Sequence, residues 1–511
     1  MSELQETEIG REKDCEYTEK DQRSRTEILE ENIAVLQARL QELEHVGAPT
    51  SELNYSASLQ SVPGEDVDMQ EHSSPHSLGA RFSPDIIRQL SPAHTSRPIA
   101  ERLIEAFLPH ATDFGFFLHK IRFLRWADQH LPPRSSSPLQ SPPPDAQDND
   151  PLLSVVYLWG ATLSSDADLR AQGGAYLTDA IQRLSTAFQS TDALLLRIAL
   201  GFNVDDHWPD IVHVLQAEVL LANYFYHEGR FVEARQHTAC AVTLALSCGL
   251  HQIRLSTAPQ PAHVDISTFH LVPAADASLK LPPPVDLVEE GERISAFWQV
   301  YILDKTWAHL SGLPSLLVTD ASPRTRIDTP WPLAMQQYVE GAIPHEYGHH
   351  GQTLERFFPD SQNTQLDPRL SALALRAQVA SLLDKAAWLA SICASADPET
   401  QLAHQSDFDT LDNMIEQFIL GLPPISSFQN TAPPPPPELA RSLTLTHTLA
   451  RLAVVQLHRI YVRQNVASRA KTLSASKAII GAFTSIERPQ LGVVDPLMPV
   501  SMSASFMAVG N

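Results

Sequence analysis

Cysteine is scarce in this chain: four in 511 residues, Cys15, Cys240, Cys248 and Cys393. No two form a C-x-x-C pair, so neither a disulfide framework nor a dense metal module is indicated, and a reducing compartment fits best. Basic charge is short as well, with 37 Lys+Arg against 60 Asp+Glu and a net charge of -23. Nucleic-acid binding draws most of its affinity from Lys and Arg that displace counterions from phosphates, so the chain as a whole does not read as a DNA binder. No apolar run reaches the ~20 residues needed to cross a bilayer, and the polar N-terminus lacks a signal-peptide core. A soluble, intracellular protein is expected, with no membrane partner. G-x-S-x-G, P-loop and G-x-G-x-x-G strings are missing. So is any alternating strand pattern.

Proline is plentiful, at 39 against 20 Gly. It clusters in linkers between apolar blocks of helical period. The expected fold is all-α: a multi-helix domain with antiparallel αα-hairpins, preceded by a short coiled coil and disordered linkers. A heptad run places Thr26, Ile33 and Leu40 at positions a and Leu29, Leu36 and Leu43 at positions d. β-branched residues at a with Leu at d favour a parallel dimer, so a homodimer through residues 26–44 is expected. The polar stretch 46–97 reads as disordered linker. Helical blocks are expected at Leu152–Ala161, Tyr176–Phe188, Ala193–Phe202, Glu289–Leu310, Leu370–Ala394, Phe408–Leu422, Leu439–Arg463 and Ser474–Ile486. The clearest element is a hairpin. Ile211–Tyr226 turns at Gly229 into Phe231–Cys248, which Gly249 stops with a left-handed cap. Pro-rich loops are expected near 131–151 and 255–287, and a polyproline II spacer near 426–438.

Residues Gly291-Glu292-Arg293-Ile294-Ser295-Ala296-Phe297-Trp298-Gln299-Val300-Tyr301-Ile302-Leu303-Asp304-Lys305 carry a family resemblance. They resemble the E-R-R-x-x-F-W-x-x-Y-x-L-D-R helix of fungal zinc-cluster transcription factors. The G-R-P turn of that family is matched by Gly312-Leu313-Pro314, and its extended Asp/Pro-rich stretch by Asp320 through Pro332. The hairpin at Leu215–His251 and the aromatic opening at Leu103–Phe107 and Phe114–Phe117 match further family features. Several motifs in the right order over residues 98–335 make the likeness specific. It implies an all-helical regulatory domain of the xylanolytic-activator type over 98–425, with C-terminal helices over 439–511. The structural signature residues are Arg293, Phe297, Trp298, Tyr301, Asp304, Gly312 and Pro314. Lys305 and Leu313 stand where the family has Arg. Leu313 removes a charge expected to pair inside the domain.

In that family a six-cysteine cluster holds two zinc ions and places a short helix in the major groove. The resemblance makes residues 1–24 a remnant of this head, with Cys15 as the last of six ligands. Residues 1–45 hold 6 Lys+Arg and 13 Asp+Glu, so no basic patch replaces it. One thiolate does not hold a zinc pair, and no cofactor is expected in this chain. DNA would be a partner only with the head present. The chain then reads either as a truncated product or as a naturally headless regulator, and Asp495-Pro496-Leu497-Met498 resembles mid-domain sequence. The implied function is nuclear regulation of RNA polymerase II transcription, without enzymatic activity, through co-regulators or the transcription machinery.

Three other patterns point elsewhere. His345-Glu346-Tyr347-Gly348-His349 matches H-E-x-x-H, but Pro344 and Gly348 argue against the helix that zinc-protease chemistry needs. Cys240 and Cys248 would lie about 12 Å apart along a helix, which suits core thiols better than a metal pair. Trp298 and Tyr301 read either as core aromatics or as the lining of an effector pocket. The hairpin also admits a tetratricopeptide-like scaffold, but only one repeat is found where about three are needed. Arg293, on a helix expected to be buried, requires a carboxylate, with Asp304 or Asp320 as candidates.

Overall fold

The computed structural model describes residues 95–132, 150–199, 211–253, 281–319, 322, 325–345, 347, 351–358, 370–395, 398–424, 436–485 and 497. All of them fall within one unit, Ala80–Asn511. Cys15 and the heptad seam Leu29, Ile33, Leu36, Leu40 and Leu43 lie outside the described residues, as do Asp320 and the Pro-rich stretches 133–149 and 254–280.

The first helices are α1 (Arg97–Phe107), α2 (Lys120–His130), α3 (Pro151–Leu163), α4 (Ala167–Ala171) and α5 (Gly173–Ala199). Helix α1 buries Ala100, Leu103, Ile104 and Phe107, the i, i+3, i+4, i+7 stripe of an amphipathic helix. It packs on α3, which is buried from Pro151 to Ala161. The contact is close because Gly160 of α3 sits against the Leu103 backbone carbonyl, where a side chain has no room. Helix α5 runs unbroken through Gln189–Asp192, joining the separately expected blocks Tyr176–Phe188 and Ala193–Phe202 as far as Ala199. Four polar residues without Gly or Pro cost a helix only tenths of a kcal/mol each, ~0.5 by intrinsic propensity.

The hairpin follows as α6 (Ile211–His227) and α7 (Phe231–Ser247). Gly229 and Gly249 both adopt left-handed backbone, φ 70 and 69, as the turn and the stop require. Helix α8 (Leu287–Ser311) carries the signature. It is buried continuously from Glu290 to Ala308, so it forms the central rod of the domain. Its start is fixed reciprocally: the Asp286 carboxylate accepts from the Glu289 amide at 2.8 Å and Glu289 accepts from the Val285 amide at 2.8 Å. Its end is a Schellman-type cap, with Gly312 at φ 67 and the Leu313 amide donating to the Ala308 carbonyl at 2.9 Å.

Then come α9 (Met335–Glu340), α10 (Thr353–Phe357), α11 (Ala372–Ser395), α12 (Pro398–Ala403), α13 (Gln405–Gly421), α14 (Pro437–His458) and α15 (Val466–Ser485). The first two are too short to show a period in sequence. Helix α15 starts eight residues before the expected Ser474. The reason is Asn465, whose side chain accepts from the Ala467 and Ser468 amides at 2.8 and 3.3 Å. Helix α14 stops at His458 rather than Arg463 and continues as a 3-10 turn, Arg459–Tyr461.

Among the described residues there are fifteen α-helices and no strand, only an isolated bridge between Leu333 and Leu370. The domain is all-α. Helix α8 packs on α6, α7 and α11, α11 on α14, and α14 on α13 and α15. Helix α14 then returns to the beginning of the domain. Arg441 pairs with Asp113 at 2.7 Å and Glu438 with Lys120 at 2.8 Å. A tetratricopeptide solenoid, in which each unit touches only its neighbours, does not make such a contact. Among the described residues no helix is long and apolar enough to cross a membrane.

Candidate functional site

The signature helix α8 buries five charged residues, Glu290, Glu292, Arg293, Asp304 and Lys305, and each charge must be matched there. The densest arrangement surrounds Asp304, which has no exposed surface. Its carboxylate accepts from the Leu316 and Leu317 amides at 3.0 and 2.9 Å and from the Ser315 hydroxyl at 2.6 Å. Arg235 of α7 reaches it at 3.4 Å and donates its other arm to the Pro314 carbonyl. Asp304 therefore holds the loop after α8 and ties that loop to the α6–α7 hairpin.

The next residue faces α11. Lys305 donates to the Leu317 carbonyl at 2.8 Å and pairs with Asp384 at 3.1 Å. His309, one turn on, meets the other Asp384 oxygen at 2.8 Å. Burial alone would raise the Asp384 carboxyl, but His309 and Lys305 outweigh it and hold it below the usual range. The Tyr301 hydroxyl bonds Ser381 of α11 at 3.0 Å, and burial drives its ionisation far up. Three side chains of α8 thus clamp one face of α11.

Further back along the helix, Trp298 stacks on Trp331 with ring centres 4.2 Å apart, and its indole N–H donates to the Pro330 carbonyl at 2.6 Å. The Asp/Pro-rich stretch is held in turn by the hairpin's end. The Asp328 amide donates to the His251 carbonyl at 2.9 Å and the Thr329 hydroxyl to the Leu250 carbonyl at 2.6 Å. Phe297 is fully buried beside Trp298. Trp298 and Tyr301 are accordingly core aromatics with satisfied polar tips. Gly291 lets the Tyr338 ring approach α8, since a side chain there would come within 2.6 Å of it.

Arg293 does not pair with Asp304. It pairs with Glu289, one turn back, at 2.5 Å, and donates to the Pro282 carbonyl at 2.6 Å. Eleven residues along the helix from Arg293, Asp304 is out of its reach. Leu313 does not empty a buried charge site either. It is 48% exposed, and the Gly312-Leu313-Pro314 turn is anchored from outside by Arg235. Glu292 accepts from the His119 amide at 2.9 Å, which ties α8 to the start of α2.

The H-E-x-x-H string does not form a helix at its described residues. Tyr347 closes a turn onto Pro344 and buries its hydroxyl against Tyr338 at 3.0 Å. Glu346, Gly348 and His349 lie outside the described residues. Burial pushes the Cys240 and Cys248 thiols up to about 11; Cys248 is a core group and Cys240 is half-buried. Among the described residues no group of three or more His, Cys, Asp and Glu is placed to hold a metal.

The fungal specific transcription factor domain matches residues 104–418, from the last turn of α1 to the end of α13. This chain belongs to that family. No curated protein and no solved structure matches it. The match encloses the whole Asp304 network, so this fungal transcription factor domain is built around its signature helix.

Sequence reasoning named Asp304 but not Arg235, Ser315, His309 or Asp384. Only Asp384 left a legible trace, as the one acid in the Ala/Leu-rich segment Ala374–Ala386.

Proposed function

We propose that this chain is a non-enzymatic nuclear regulator of RNA polymerase II transcription. Its helical domain acts as a module that gates activation through co-regulators or the transcription machinery. The observation that carries this reading is the family match over residues 104–418. The Asp304 network supports it: the charges of α8 are spent on helix, loop and hairpin, the arrangement of a domain that holds a shape. The heptads at 26–44 support a homodimer as the assembled form.

Zinc and DNA binding belong to the complete family. The residues present do not fit a two-zinc cluster, because Cys15 supplies one thiolate where each zinc takes four ligands. DNA contact is therefore assigned to a zinc-cluster head and not to this helical domain.

Fusing the full chain to an unrelated DNA-binding module at a reporter promoter tests the reading. A change in α-amanitin-sensitive transcript relative to the module alone is expected, with the fusion concentrated in nuclei. A reporter that responds to the module with and without the chain equally would end the proposal.

A further inference from the structure

The last helix pair reverses the charge of the rest of the chain. From Pro437 to Ser485 there are seven Lys and Arg and one acid, Glu438, within a protein of net charge -23. Two of the seven are tied to neighbouring helices and turns, Arg441 to Asp113 and Lys471 to Asp412 at 2.6 Å. A third, Arg451, is half-buried beside His447. The remaining four, Arg459, Arg463, Arg469 and Lys477, are exposed at the α14–α15 joint and along α15.

These four are interleaved with exposed apolar residues. Helix α15 turns Ser468, Thr472, Ala475, Ser476 and Ile479 inward onto α14. Its outer face then carries Val466, Arg469, Leu473 and Lys477 in steps of three and four residues, a single stripe. Val466 is 78% exposed and Leu473 40%. The stripe spans about 16 Å at 1.5 Å per residue. Arg469 is fixed at its head, donating to the Val462 and Arg463 carbonyls at 3.1 and 3.3 Å. Arg463 and the stripe are therefore contiguous. Among the described residues no carboxylate pairs with Arg459, Arg469 or Lys477.

We propose that this outer face of α15, with the Arg459–Arg463 turn at its head, binds an acidic peptide segment whose charges alternate with large apolar side chains. The occupant follows from complementarity. Arg presents a planar fork suited to carboxylates. A surface of cations alone would suit phosphates equally, but Val466 and Leu473 gain only from a partner that brings apolar side chains. Disordered acidic–hydrophobic segments have that composition. With a screening length of about 8 Å at physiological salt, the local basic stripe acts on a bound segment despite the acidic total. The inference rests on the reading that the domain works through protein partners, and it names one class of them.

The test uses the full chain and a fluorescent synthetic peptide in which Asp and Glu alternate with Leu and Phe. The expected result is salt-sensitive binding, weakened about tenfold or more by Arg459→Glu with Lys477→Glu, and similarly by Val466→Ser with Leu473→Ser. All four positions are exposed, so unchanged thermal melting is expected to accompany the loss. A peptide of equal charge with Ser in place of Leu and Phe should bind at least about tenfold more weakly. Absence of peptide binding, binding that ignores both variant pairs, or equal binding of the Ser peptide overturns the proposal. So does a duplex DNA probe that binds more tightly through the same residues, which would make the face a phosphate site. A chain that regulates the tethered reporter but does not bind the peptide loses only this inference.

Discussion

Asp304 and Arg293 sit on the same helix and carry opposite charge, yet they differ in what depends on them. Asp304 satisfies two backbone amides, a hydroxyl and a guanidinium from two separate parts of the fold. Removing it leaves Arg235 and those amides without their acceptor in a site that water does not reach. Asp304→Ala should therefore cost about 3–5 kcal/mol. Arg293 anchors only its own helix turn and the Pro282 carbonyl, so Arg293→Ala should cost less, about 1–2 kcal/mol. Thermal melting of the two variants checks the order. Equal losses would show that the Asp304 network does not bear the stability assigned to it, and no loss for Arg293→Ala would show that its contacts to Glu289 and Pro282 do not stabilise the fold. Both residues were legible in the sequence as members of a motif. The partner of Asp304 was not, because Asp304 and Arg235 are 69 positions apart and neither neighbourhood carries a mark of the other, whereas Glu289 lies one helical turn from Arg293 and was within local reach.

At the scale of elements, helix starts and stops follow local chemistry closely. Gly229, Gly249 and Gly312 terminate or turn where their backbone freedom is used. Asn465 shows the same rule working against a reading based on apolar period alone, since a single cap extends α15 by two turns. The α1–α3 contact depends on the absence of a side chain at Gly160. Gly160→Ala drives a methyl group into the Leu103 carbonyl, so the helices must separate. Helix propensity favours Ala over Gly by ~1 kcal/mol, whereas overpacking of this kind costs ~1–3 kcal/mol. A net loss of stability by chemical denaturation is expected. A stabilised Gly160→Ala variant would mean that the two helices are not in the contact described.

Across the whole molecule, several interhelical joints are histidine–carboxylate pairs. His309–Asp384 joins α8 to α11, and His458–Asp412 joins α14 to α13 at 3.0 Å. His237–Glu218 closes the α6–α7 hairpin at 2.7 Å. Burial opposes the charged form of Asp384 and Asp412, but their His and Lys partners prevail and both carboxyls lie below the ordinary range. Each thus contributes stability that is present above the unfolded carboxyl value, about 3.9, and lost as pH falls through the lower folded value. Glu218 is the reverse: burial outweighs its His237 partner and raises its carboxyl. Its contribution is present in acid and lost as pH rises through the folded value. Asp384→Asn should then melt below the unaltered protein at pH 7, with the gap narrowing toward pH 3. Glu218→Gln should gain on the unaltered protein between pH 4 and pH 7. Melting curves against pH decide this, and a gap for Asp384→Asn that is constant from pH 7 to pH 3 would contradict it.

The amino-acid sequence by itself determined the all-helical class, the α6–α7 hairpin with its glycine turn, and the family, through the ordered motifs from Leu103 to Pro332. These are local properties, set by periodicity, capping and turn chemistry within a few residues. Only the tertiary structure decided which distant charges meet: Asp304 with Arg235, and Asp384 with Lys305 and His309. It also decided that α14 folds back onto the 108–120 region, and that one face of α15 stays outside, with no carboxylate among the described residues paired to Arg469 or Lys477. Pairing over tens to hundreds of residues is fixed by how helices pack around α8, and no local pattern encodes that arrangement.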